Sequence, residues 1–173
     1  MGFSGADELL ALNMAKSILA LYRDTPIYGA ALQLLDDISA PLSGDGNSDW
    51  YENRILVPQV PTAPVPNELW NVITKALREN RVLAFEYLGA YDDGYNARRV
   101  RPYQLLFDTG VWYLYGYAEE RKATRVFSLC RIRNVAPTGD CFSLPGNFDY
   151  RTDNAGSYFG VFASQEKYKF KIA

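Results

Sequence analysis

The chain has 173 residues, 18 basic against 20 acidic side chains, 48% apolar content and no histidine. Without imidazole, Ser-His-Asp and Cys-His nucleophile systems, His-ligated metals and the commonest acid–base chemistry are out of reach. The apolar content suffices to fill one ordinary domain or two small ones. No run of eighteen apolar residues and no basic-then-apolar leader occurs, so a cytoplasmic protein without a membrane partner is expected.

Chemistry-bearing motifs are few. Cys130 and Cys141 are too few for a disulfide scaffold or a zinc site and are read as buried thiols. The adjacent acids Asp36-Asp37, Asp92-Asp93 and Glu119-Glu120 suit solvated helix ends and turns rather than opposed catalytic carboxylates. No glycine pattern resembles a phosphate-cradling loop. No catalytic residue, metal or cofactor is therefore assigned, and an enzyme is the least favoured class.

In chain order, Ser4-Gly5-Ala6-Asp7 is a capping-box variant that opens a helix. Leu9, Leu10, Leu12, Met14, Ile18, Leu19, Leu21 and Tyr22 give it one broad apolar face to about Arg23. Thr25-Pro26 starts a second helix to about Ser39, since proline is tolerated where its missing N–H has no partner to lose. So short a turn predicts a helical hairpin over 1–40, packed antiparallel. Residues 41–66, rich in proline and glycine, read as a linker with one short strand at Arg54 to Val57. Asn67 to Arg78 forms a third helix with Leu69, Trp70, Ile73, Ala76 and Leu77 on one face and Asn80 as its stop.

The period then changes from four to two. Val82 to Leu88, Arg99 to Phe107, Val111 to Ala118, Thr124 to Cys130 and Ile132 to Pro137 read as five short strands. Turns are expected at Asp92-Asp93-Gly94, Asp108-Thr109-Gly110 and Glu119 to Lys122. The fold class is α+β: a helical segment, then a small five-stranded antiparallel barrel or strongly bent sheet that avoids exposed edges. Pro102 marks an edge or a bulge.

Charge is uneven along the chain. Residues 98–133 hold eight basic side chains against three acids, net +5, in a chain of net −2, which points to a local anionic ligand site. Alternation puts Trp112 and Leu114 on one side of the third strand, with Tyr113, Tyr115 and Tyr117 on the other. On the fourth, Val126 and Cys130 are assigned to the core, and Arg125, Phe127 and Leu129 to the tyrosine side, where Arg99, Arg101 and Tyr103 join them; Phe127, like Trp112 and Leu114, is read as a packing residue. Such a face suits an anion bearing flat rings. The same residues also stabilise a sheet surface with no ligand at all.

The order RRVRPYQLL, GVWYLYGY, TRVFSLCRI resembles the WYL domain of bacterial transcriptional regulators, from about Leu69 to Pro137. DELLALNMAKSILALYRDTP is similar to the helical segment preceding it there. The resemblance implies an Sm-like or SH3-like barrel that senses a nucleotide or short single-stranded nucleic acid and controls an attached DNA-binding domain. It implies ligand contacts at Arg101, Tyr103, Tyr113, Arg125 and Arg131. The broad apolar faces of the first two helices, with the dimeric action of family members on DNA, lead to an expected homodimer. Residues 67–140 are then the WYL domain with its leading helix, and 141–173 the connection and first strand (Tyr168, Phe170, Ile172) of a truncated C-terminal extension. The helix-turn-helix usual in such regulators is missing from this stretch, so an excised fragment is expected. A structural homodimerisation module without ligand is the alternative.

Overall fold

The computed structural model describes residues 5–42 and 61–150. They fall into two units divided between Asn67 and Glu68. Ser4, the strand expected at Arg54 to Val57 and the terminal strand around Phe170 lie outside the described residues.

In the first unit, α1 (Gly5–Leu19) runs into a single 3₁₀ turn, Ala20–Tyr22. Pro26 opens α2 (Pro26–Ser39), as its fixed φ and absent N–H allow. The Thr25 hydroxyl does not cap that helix; it donates back to the Tyr22 carbonyl at 2.7 Å. Lys16 ties the two helices together, with Nζ 2.7 Å from Asp36 Oδ1 and 2.9 Å from Ser39 Oγ. Leu9 is buried, whereas Met14, Ile18, Ile27, Leu34 and Ile38 are exposed.

The second unit takes in α3 (Asn67–Glu79) from Glu68 onward, a helix that buries Leu69, Ile73 and Ala76. Asn80 ends it in the left-handed region at φ 50°, a conformation asparagine tolerates. Five antiparallel strands follow: β1 (Arg81–Tyr87), β2 (Asn96–Asp108), β3 (Val111–Ala118), β4 (Ala123–Ser128) and β5 (Ile132–Cys141). Thr109 and Gly110 join β2 to β3 in a two-residue turn with φ of 48° and 82°, the type I′ geometry whose twist matches the flanking strands.

The strand order is β4-β3-β2-β1-β5. Among the described residues no ladder joins β4 to β5, so the sheet is open, and the closed barrel expected from the sequence is not formed by backbone pairing. The two edges are instead linked by a 3₁₀ turn, Leu129–Arg131. Proline in a central strand is explained by handover: β2 pairs with β1 up to Val100 and with β3 from there on, and the β2–β3 register shifts between Pro102 and Gln104. Pro102 thus sits at a bulge, where its missing N–H breaks no ladder that β1 needs. Opposite it, Gly116 lies so close that a Cβ there would run into the Arg101 carbonyl.

The core of this unit combines Ile73 and Ala76 of α3 with Val82, Leu83, Phe85, Val100, Leu114, Ala118, Phe127, Leu129 and Ile132. Trp70 packs edge-on against Trp112 at 4.8 Å. Both cysteines are exposed, which corrects the reading of Cys130 and Cys141 as buried thiols. Cys130 lies in the 3₁₀ turn beyond the end of β4, where strand alternation no longer decides burial. No helix among the described residues is long and apolar enough to cross a membrane.

Candidate functional site

Register decides which side chains share a face, because directly opposed residues of an antiparallel pair point the same way. Leu114 opposes Phe127, Gly116 opposes Arg125 and Tyr115 opposes Val126. Phe127 is therefore on the Leu114 side, 4% exposed, with its ring edge-on to Phe85 at 5.4 Å and Tyr87 at 5.1 Å. The expected phase of β4 is thus inverted. Phe127 and Leu129 belong to the core, Val126 points to the other side, and Arg125 shares the Leu114 face rather than the tyrosine face.

The tyrosine face is built as expected from β2 and β3, but its groups are already engaged. The Arg101 guanidinium lies 5.4 Å from the centre of the Tyr117 ring, while its Nε donates to Glu119 Oε1 at 3.1 Å. Arg99 Nε donates to Glu119 Oε2 at 3.0 Å, and Arg99 Nη2 to Asp140 Oδ2 at 2.6 Å. The hydrogen bond from Arg99, seconded by Arg101, holds the Glu119 carboxyl below the ordinary carboxylate range. Tyr103 sits among rings, 6.3 Å from Tyr115, 5.8 Å from Phe142 and 5.2 Å from Phe148. Phe148 stacks on Tyr115 at 6.1 Å, and Tyr150 meets it edge-on at 4.9 Å. Residues 142–150 thus cover the middle of this face, and Tyr115 is buried.

Tyr113 lies four residues from Tyr117 along β3, about 13 Å at the usual strand rise. Burial pushes its phenol above the ordinary range; Asp108 adds to the shift and Arg131 opposes it. The five residues implied by the resemblance are consequently distributed rather than convergent. Arg101 belongs to the Glu119 network, Tyr103 to the aromatic cover, Tyr113 and Arg131 to the far end of β3, and Arg125 to the opposite face.

On that opposite face a cleft of about 470 Å³ opens beside Tyr87 and Phe127, closed on one side by residues 89–92. Three arginines line it, Arg98, Arg121 and Arg125, with Asp92 as the single acidic lining residue. Each is placed by the sheet. Arg98 opposes Phe85 on β2, Arg125 opposes Gly116 on β4, and Arg121 comes from the β3–β4 turn. Arg98 Nη2 is 3.7 Å from Asp92 Oδ2. Arg125 donates to the Thr124 carbonyl at 2.8 Å, and among the described residues neither it nor Arg121 has a carboxylate within ion-pair distance. An excess of two positive charges against an aromatic wall is chemistry for an anion, above all a phosphate, which guanidinium forks grip in two-point fashion.

Of this cleft, sequence reasoning singled out only Arg125. Arg98 was visible as part of the basic segment, but Arg121 read as a solvated turn residue. Tyr87 and Phe127 carry no polar signal that separates them from packing residues. Their convergence depends on strand pairing between segments distant in sequence, which periodicity does not encode. Among the described residues, no group of three or more cysteine, aspartate or glutamate side chains could hold a metal ion.

Comparison with known proteins finds one family model that matches part of the chain. Residues 68–137 match the family model of the WYL domain. Protein PafB of Mycobacterium tuberculosis is 31% identical over 88 residues, 49% of this chain and 26% of that protein. The DNA-binding transcriptional repressor CapW of Pseudomonas aeruginosa is 33% identical over 82 residues, 43% of this chain and 27% of the repressor. The chain thus spans about a quarter of the length of these relatives. Among solved structures, proteasome accessory factor B/C (PafBC) of Arthrobacter aurescens aligns with 63% of this chain and 17% of its own at 26% identity; the TM-score of 0.42 is too low to carry weight.

Proposed function

We propose, from the match of residues 68–137 to the WYL domain model, that this chain is the ligand-sensing part of a transcriptional regulator, non-enzymatic, and that it binds a phosphate-bearing ligand in the Arg98–Arg121–Arg125 cleft. The observation that carries this reading is the cleft itself, lined by three arginines and one aspartate beside Tyr87 and Phe127. The ligand class is a nucleotide or a short single strand, whose phosphates meet the arginines while a base lies on an aromatic ring. Tyr91, fully exposed on the cleft's lip, supplies such a ring. Control of DNA would run through a DNA-binding domain of the parent regulator, by analogy with the repressor CapW. Arg101, Tyr103, Tyr113 and Arg131 serve in this reading as secondary contacts for a strand long enough to leave the cleft. The Sm/SH3-like barrel is retained as an approximate closure, supported by the 3₁₀ turn that links the two edge strands.

Titration of a short 5′-phosphorylated single strand tests the reading. Charge-assisted contacts contribute about 1.5–3 kcal/mol each, so Arg125→Ala should weaken binding by at least about tenfold. The logarithmic salt slope should be about −0.7 per phosphate neutralised. Binding that ignores both salt and the arginines rules the cleft out.

A second reading, homodimerisation without a ligand, is favoured by one observation. Met14, Ile18, Ile27, Leu34 and Ile38 leave α1 and α2 with apolar side chains 42–62% exposed. Such a surface invites association. Sedimentation tests it, and a monomer at high micromolar concentration contradicts it.

A further inference from the structure

Resting on the cleft reading above, we propose that Asp92 is a built-in competitor for the site: its carboxylate holds the place of a ligand anion at Arg98, and an incoming phosphate displaces it and releases residues 89–95. Asp92 is the single acid of the cleft, and its Oδ2 stands 3.7 Å from Arg98 Nη2. The same oxygen accepts a hydrogen bond from Asn96 Nδ2 at 3.0 Å. The carboxylate is tucked against the bare Cα of Gly89, where a Cβ would stand 2.5 Å from Oδ2 and 2.9 Å from Cγ. The turn is closed by the Asp92 N–H donating to the Gly89 carbonyl at 3.4 Å.

Two features make this contact displaceable. At 3.7 Å it lacks the 2.7–2.9 Å geometry of a charge-assisted hydrogen bond, so Arg98 keeps donor capacity for a better acceptor. With side chains 16% and 34% exposed, it lies near the surface, where ion pairs are weak. A phosphate in the cleft meets Arg98, Arg121 and Arg125 together, and Asp92 meets one of them.

The segment is held at both ends and tied to the site in its middle. Leu88 N–H donates to the Arg131 carbonyl at 3.2 Å. Beyond it, the Arg133 guanidinium sits 3.6 Å from the centre of the Tyr95 ring while its Nε donates to Glu86 at 2.6 Å. Displacing Asp92 therefore frees the middle of residues 89–95, between the anchors at Leu88 and Tyr95. Tyr91 moves with them, so occupancy of a site inside the cleft is converted into a change on the surface.

The test uses the whole chain and pyrophosphate as probe. Asp92→Asn keeps the shape and an oxygen for Asn96 but removes the competing charge; it should raise pyrophosphate affinity by up to about fivefold, the worth of a weak ion pair. Gly89→Ala, which forces the carboxylate out by contact, should act in the same direction. In the wild type, pyrophosphate should speed amide exchange in residues 89–95 and leave β1 unchanged. Affinity unchanged or reduced in Asp92→Asn, or slower exchange in residues 89–95, overturns the proposal. If that happens while Arg121→Ala/Arg125→Ala still abolishes binding, the cleft stands and only the competitor role falls. If the arginine variant binds like the wild type, or no protein binds the probe, both fall.

Discussion

Truncating Phe127 to alanine should be among the costliest single changes in the second unit. Its ring is 4% exposed, opposes Leu114 and makes edge-on contacts with Phe85 and Tyr87. Phe→Ala in a core that cannot collapse costs about 3–5 kcal/mol. Two aromatic pairs at about 0.5–1.5 kcal/mol each account for part of it, so Phe127→Leu should recover much of the loss but not all. Val126, one residue away and half-buried on the other face, provides the control: Val126→Ala should cost about 1 kcal/mol. Urea unfolding followed by tryptophan fluorescence reads the difference, and Phe127→Ala should lower the midpoint by at least about 1 M. A costly Val126→Ala beside a cheap Phe127→Ala would refute the β3–β4 register and, with it, the placement of Arg125 in the cleft.

Gly116→Ala should destabilise the unit by about 1–3 kcal/mol in the same assay, because the new Cβ meets the Arg101 backbone, which cannot swing aside as a side chain would. Acid titration should remove the contribution of Glu119: its carboxyl is held low by Arg99 and Arg101, so that stability is complete above the ordinary glutamate pKa and is lost as the pH falls through the lowered value. Glu119→Gln should flatten that part of the pH–stability curve. Duplex DNA should bind this chain without sequence preference and no tighter than about 10⁻⁴ to 10⁻⁶ M, because three arginines offer few phosphate contacts. Side-by-side titration of one sequence as duplex and as single strand checks this, and tight sequence-dependent duplex binding would contradict it.

Much of the fold was legible where local chemistry and tertiary packing agree. Leu69, Ile73 and Ala76 recur at helical spacing and are buried in α3, and Asn80 stops that helix as its side chain allows. Thr109-Gly110 forms the tight turn expected between β2 and β3. Pro102 marks a bulge, one of the two roles open to it. Phase across strands was less legible, since alternation within β4 says which residues share a side but not which side faces the core. That choice is set by pairing with Leu114 and by the Phe85 and Tyr87 rings, both distant in sequence. The candidate site suffered most, because Arg98, Arg121 and Arg125 come from three different segments. The tyrosines that drew attention as a ligand platform are instead partly roofed by Phe142, Phe148 and Tyr150.

Side-chain NMR of the arginine Nε–Hε groups during pyrophosphate titration tests the central claim most directly, since it reports each guanidinium separately. The resonances of Arg98, Arg121 and Arg125 should shift together along one saturable curve. Those of Arg99 and Arg101, committed to Glu119 and Asp140, should stay in place. Shifts confined to Arg99 and Arg101, or spread equally over every arginine in proportion to added salt, would contradict a phosphate site in the cleft.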